Sequence, residues 1–195
     1  MITLLAPNSR FVAEIQRHAS DLRVSATCNI PHPYPQDGAV KWMEQTLKST
    51  SEKKNAVFMV LSGECFCGVM SLNAIDWEKG SAELDYWIAG DHQGRGIGTE
   101  AARQAIDHAR EKLHLRVLFS ACFVMNPASA RILEKNGFRE VARILNDGIF
   151  GRKFLGQEIR RFRKNLAPGA ENVSDRFGSR YLGGGPAMGM MDEED

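Results

Sequence analysis

Apolar positions recur along the chain in two rhythms, and the switch between them predicts the order of elements. Ile2 to Leu5 reads as a strand, and Phe11, Val12, Ile15 and Ala19 mark one face of a short helix that Asn8 or Ser9 can cap. From Asp21 to Pro35 the rhythm breaks, and the prolines of Pro31-His32-Pro33-Tyr34-Pro35 predict a stiff extended stretch exposing His32 and Tyr34. Asp37 caps a second helix with Ala39, Trp42, Met43 and Leu47 on its apolar face, and the polar loop Ser49 to Asn55 follows. Val57 to Leu61, the turn Ser62-Gly63-Glu64 and Cys65 to Leu72 form an expected antiparallel hairpin. The turn Trp77 to Gly80 then leads into a strand from Ala82 to Ile88, so the sheet up to this point is a meander.

The next stretch breaks the meander. Ala101, Ala102, Ala105, Ile106, Ala109 and Leu113 recur at helical spacing, and Val117 to Val124 is a further apolar strand, so strand, helix and strand make a right-handed parallel crossover. Asn126 caps the following helix with Pro127 in its first turn, and Asn136-Gly137 stops it, with Phe138 folding back. Val141 to Leu145, the turn Asn146-Asp147-Gly148 and a strand from about Lys153 to Phe162 complete the sheet. The expected fold class is therefore α/β, a single-domain, mixed and mostly antiparallel sheet with helices on both faces. Residues 1–166 form the domain, and 167–195, rich in glycine and methionine and acidic at its end, form a tail expected to be flexible or loosely docked.

Composition narrows the function classes. With 195 residues, a net charge of +1 and 25% charged residues, the chain shows no general bias toward nucleic acid or membrane. The basic run Arg160 to Lys164 reads as a solvated strand edge. No basic, apolar leader opens the sequence and no apolar run approaches membrane-spanning length, so a reducing, cytoplasmic setting is expected. Cys28, Cys65, Cys67 and Cys122 lack Cys-x-x-Cys spacing and read as buried thiols, although Cys65 and Cys67 share one strand face. His108 and His114 lack partners at ligand spacing and His92 reads as a loop histidine, so no metal site is expected.

The chemistry concentrates in Gln93-Gly94-Arg95-Gly96-Ile97-Gly98-Thr99, between a strand and a helix. Glycines there permit close backbone approach, the first helical N–H groups point outward, and the helix dipole with Arg95 favours a phosphate. A simple tight turn is the competing reading. The spacing fits neither the Walker loop nor Gly-x-Gly-x-x-Gly, but it does fit Gln-x-x-Gly-x-Gly. On Gln93, Gly96 and Gly98, on Asn126 to Arg131 and on Glu134-Lys135-Asn136-Gly137-Phe138, the chain resembles the GNAT superfamily of N-acetyltransferases. Ala82-Glu83-Leu84 and Tyr86-Trp87-Ile88 make the resemblance nearest to the ribosomal-protein N-terminal serine/alanine acetyltransferases.

The resemblance implies acetyl-CoA as acetyl donor, and two parallel strands that splay to hold its pantetheine arm. It places Gln93, Gly94, Arg95, Gly96, Ile97, Gly98 and Thr99 on the pyrophosphate, the backbone of Trp87 and Ile88 on pantetheine and the oxyanion, and Asn126 on the cofactor amide. Glu83 is the expected base. Asp85, on the same strand face, is expected to raise the pKa of one of the two. Many members protonate the leaving thiolate with a tyrosine where this chain has Leu133, so Ser129 takes that role, with Tyr86 a lesser candidate. The acceptor is a primary amine, a protein N-terminus or a small molecule. At about pH 7.4 a lysine amine costs about 4 kcal/mol to deprotonate and an α-amine only about 0.5 kcal/mol. A catalytically silent acyl-CoA-binding module stays open, because a tyrosine is missing and Asp85 replaces a usual glycine. The acceptor and oligomeric state are not read from the sequence.

Overall fold

A computed structural model describes residues 1–148 and 152–173. Seven strands form one sheet: β1 (Ile2–Leu5), β2 (Ala56–Ser62), β3 (Cys65–Asp76), β4 (Ser81–Ile88), β5 (Val117–Phe123), β6 (Arg139–Leu145) and β7 (Glu158–Asn165). Their order is β1-β2-β3-β4-β5-β7-β6, with β4 and β5 parallel and every other pair antiparallel. The expected meander and parallel crossover are both present. Helices α1 (Val12–Ala19), α2 (Leu22–Ser25) and α3 (Gly38–Ser51) cover one face, and α4 (Ile97–Glu111) and α5 (Pro127–Lys135) the other.

Each face owes its core to strand alternation. Leu72, Leu84 and Leu118 pack under Ala101, Ala102 and Ala105 of α4, where small residues let the helix lie close to the sheet. Met59, Val69 and Trp87 meet Ile15, Ile30 and Trp42 on the opposite face. Among the described residues, no helix is long and apolar enough to cross a membrane.

Several expectations are corrected. Asp21 accepts from the Arg23 amide at 2.8 Å and caps the short helix α2 inside the stretch expected to be irregular. Tyr34 is buried rather than exposed, because Gly38 leaves room for its ring at the start of α3, whereas His32 is exposed as expected. Asp37 stands at the N-cap of α3 but its carboxylate pairs with Lys41 at 2.7 Å instead of capping. Thr46 takes the inward position on α3, and Leu47 is left 44% exposed. The last strand starts at Glu158, and Lys153 lies in a short 3-10 turn, Arg152–Phe154.

The basic run is not an edge either. β7 lies between β5 and β6, and Arg160 pairs with Glu134 at 2.7 Å and Glu140 at 2.6 Å. The packed chain continues past 166. Ala170 and Val173 are buried against Val117 and Phe119, and Arg116 donates to the Gly169 carbonyl at 3.1 Å. The rest of the expected tail, residues 174–195 with its acidic end, lies outside the described residues.

Candidate active site

The parallel pairing of β4 and β5 is short. Ser81, Ala82 and Glu83 face Val117, Leu118 and Phe119, and beyond that rung the strands separate, with Ser120 Oγ donating to the Leu84 carbonyl at 2.7 Å where the gap opens. Backbone groups in a strand point alternately to its two neighbours. The Ala89 amide donates to Cys67 of β3 at 2.8 Å, while the Ile88 carbonyl, on the gap side, accepts from Gln93 Nε2 at 2.9 Å. The backbone of Tyr86 and Ile88 therefore faces the gap. Trp87 directs its peptide to β3, its indole is buried against Phe66, and a surface of the residue still lines the cleft.

That cleft has a volume of about 510 Å³ and runs from the glycine loop to the gap. Gln93, Gly94, Gly96, Ile97, Gly98 and Thr99 line one end, and Tyr86, Asn126 and Ser129 line the other. The three glycines do different work. Gly94 and Gly96 have φ of +73° and +77°, which side-chain-bearing residues rarely adopt, and a Cβ on either would meet no protein atom within 4 Å. Their open side belongs to the cleft wall. Gly98 serves packing instead, since a Cβ there would stand 2.8 Å from Ile132 Cδ1 on α5. The unpaired amides of the first turn of α4 thus sit in the wall of the cleft.

Asn126 Oδ1 accepts from the Ser129 amide at 3.1 Å, capping α5 as expected. Arg95 is exposed and does not line the cleft. Its positive lining comes from Arg131 and Lys135, one helical turn apart on α5, and from Arg23. Arg131 and Lys135 fall in the segments that carry the resemblance but had no role of their own there, and Arg23 had none. The i, i+4 spacing of Arg131 and Lys135 was the available signal.

At the gap end, Tyr86 Oη lies 2.9 Å from Ser129 Oγ and 3.1 Å from the Ser129 carbonyl. Burial pushes the phenol well above its ordinary pKa, so it stays protonated. Leu133 is wholly buried in the core and does not line the cleft. A hydroxyl at this end therefore comes from β4 and the first turn of α5. Beneath it, Asp85 lines a small cavity with Tyr86, Ser120 and Ser129. Asp85 is buried and its pKa is raised well above 3.8, first by desolvation and then by Glu83, against a 2.8 Å bond from Asn73 Nδ2. The expected carboxylate pair is present, with Asp85 as the member shifted toward its neutral form. Glu83 stands on the last paired rung, opposite Phe119 and Asn73.

The family model for the acetyltransferase (GNAT) domain matches residues 2–139. The chain belongs to this family. A ribosomal-protein-serine acetyltransferase of Escherichia coli is 35% identical over 42% of this chain and 46% of its own length. A putative ribosomal N-acetyltransferase of Bacillus subtilis is 37% identical over 43% of this chain and 45% of its own. The chain spans about half the length of the curated relatives it matches. Among solved structures, the spermidine N-acetyltransferase of Vibrio cholerae in complex with CoA and spermine superposes with a TM-score of 0.71. It covers 85% of this GNAT chain and 95% of that one at 21% identity, a likeness of fold.

Proposed function

We propose that this GNAT chain transfers an acetyl group from acetyl-CoA to a primary amine by direct attack in a ternary complex. The observation that supports this most is the single cleft that joins the first-turn amides of α4 to the gap between β4 and β5. Phosphates suit the glycine end, with Arg131 and Lys135 adding charge, and Asn126, which lines the same cleft, would touch the cofactor amide. The acyl group then reaches the gap, where the Tyr86 and Ile88 backbone faces the developing oxyanion.

Glu83 takes the amine proton, directly or through water. Burial favours the neutral form of Asp85, which leaves Glu83 as the member of the pair suited to act as base. The neutral amine adds to the thioester carbon, the C–N bond forms, the C–S bond breaks, and the leaving thiolate takes a proton from the Ser129–Tyr86 hydroxyl pair. The acceptor is a protein N-terminal α-amine or a small-molecule amine. The E. coli relative's name contains a ribosomal-protein serine and the Vibrio enzyme's spermidine, and an α-amine asks least of the base.

Calorimetric titration with acetyl-CoA, beside Gly96→Glu, tests the reading. Micromolar binding abolished by the variant is expected, followed by turnover on either N-terminal peptides or polyamines. Absence of binding by the intact chain overturns it. Binding without turnover on any amine leaves the silent acyl-CoA-binding module in its place.

A further inference from the structure

The hairpin β2–β3 carries an irregularity that the acetyl-transfer reading does not use. Val60 pairs with Gly68 and Leu61 with Phe66, so Cys67 is the extra residue of a bulge. Gly68 makes the bulge possible, with φ of +152° and the Trp87 carbonyl 2.2 Å from where a Cβ would stand. Its consequence is a cluster. The Sγ atoms of Cys65 and Cys67 and a ring nitrogen of His92 all lie within 4.8 Å of one another.

We propose that Cys65 Sγ, Cys67 Sγ and His92 Nε2 form a site for a thiophilic divalent cation of the zinc class, beside the glycine loop. Tetrahedral zinc, with bonds of about 2.3 Å to sulfur and about 2.0 Å to nitrogen, sets its ligands about 3.5 Å (S to N) and about 3.8 Å (S to S) apart. Cys65 Sγ stands 3.5 Å from His92 Nε2. Bringing the cluster to full tetrahedral spacing shortens no ligand pair by more than about 1.3 Å.

The backbone holds the ligands in register. The Ala89 amide bonds the Cys67 carbonyl at 2.8 Å, and the His92 amide bonds the Ala89 carbonyl at 2.8 Å, so Cys67 and His92 are tied through one residue. Two thiolates and an imidazole are a donor set that prefers zinc over magnesium or calcium. Exposed Cys65 and half-buried His92 leave the fourth position to water or an added anion. Cys28 and Cys122 are elsewhere in the core, where burial pushes their thiols up to about 12 and about 11. Neither belongs to the cluster. Since His92 also lines the cleft, an ion here pins the turn that leads into Gln93.

The test titrates cobalt(II) into the reduced full chain and follows its absorption. One equivalent per chain is expected, with thiolate-to-cobalt charge-transfer bands and intense tetrahedral visible bands that zinc bleaches. Cys65→Ser and Cys67→Ser should lose the charge-transfer bands, and His92→Ala should weaken binding at least as much as the ~10–100-fold that loss of an outer-shell partner costs. Cys65 is exposed, so Cys65→Ser carries the test even where Cys67→Ser disturbs the core. No thiolate band in the intact chain, or bands unchanged in Cys65→Ser, overturns the proposal.

Discussion

Asp85 shows what a buried carboxyl does to a protein's pH response. Its native pKa is raised above the ordinary 3.8 by desolvation and by Glu83. The folded chain therefore binds this proton more tightly than the unfolded one. The stabilisation is complete below about pH 3.8 and is lost as pH rises through the native value. Asp85→Asn keeps an acceptor for Asn73 and removes the ionisation, so denaturant midpoints measured across pH should lose that downward slope and lie higher at neutral pH. Tyr86→Phe removes the Oη that meets Ser129. It is expected to lower kcat by about 100-fold while the affinity for acetyl-CoA holds, as for loss of a general acid. Glu83→Gln should lower kcat likewise. An unchanged rate in Glu83→Gln would assign the base elsewhere.

At the scale of elements, the loop and its two helices separate conformational strain from packing. Gly96→Ala meets no protein atom but must hold φ near +77°, a cost of about 1 kcal/mol in stability. Loss of acetyl-CoA affinity beyond that cost measures how closely the ligand approaches. Gly98→Leu should instead destabilise by about 1–3 kcal/mol, because it forces α4 away from Ile132. Thermal unfolding of both variants, read beside cofactor titration, distinguishes the two roles. The strand-loop-helix unit was legible in the sequence because its glycines and its helical period are local signals, as is the Asn126 cap of α5. The helix α2 and the late start of β7 were not, since a four-residue helix and a 3-10 turn carry little periodicity.

Across the whole molecule, distant segments close over the site. Lys153 donates to the carbonyls of Ser25 and Ile30, and Phe154 lies 4.5 Å from Phe123, ring centre to ring centre. The turn before β7 thereby fastens the segment after α2, which carries Thr27 and Cys28 of the cleft wall. A chain ended at Leu166 loses the contacts of Ala170 and Val173 with Val117 and Phe119 on the strand that forms the gap. It should be about 2 kcal/mol less stable than one ended at Val173, as read by urea unfolding, from the apolar surface it exposes.

Period and turn chemistry in the sequence were enough for the order of strands through β5, the two-faced layering and the glycine loop, because these depend on neighbours within a few residues. The carboxylate pair was readable for the same reason, since Glu83 and Asp85 alternate on one strand. Only the folded chain decided which of them is shifted toward its neutral form, which hydroxyl meets Ser129, that β7 is an inner strand, and that Cys65, Cys67 and His92 converge. Each of those outcomes depends on burial or on contact between segments far apart in sequence, and neither quantity is present in local spacing.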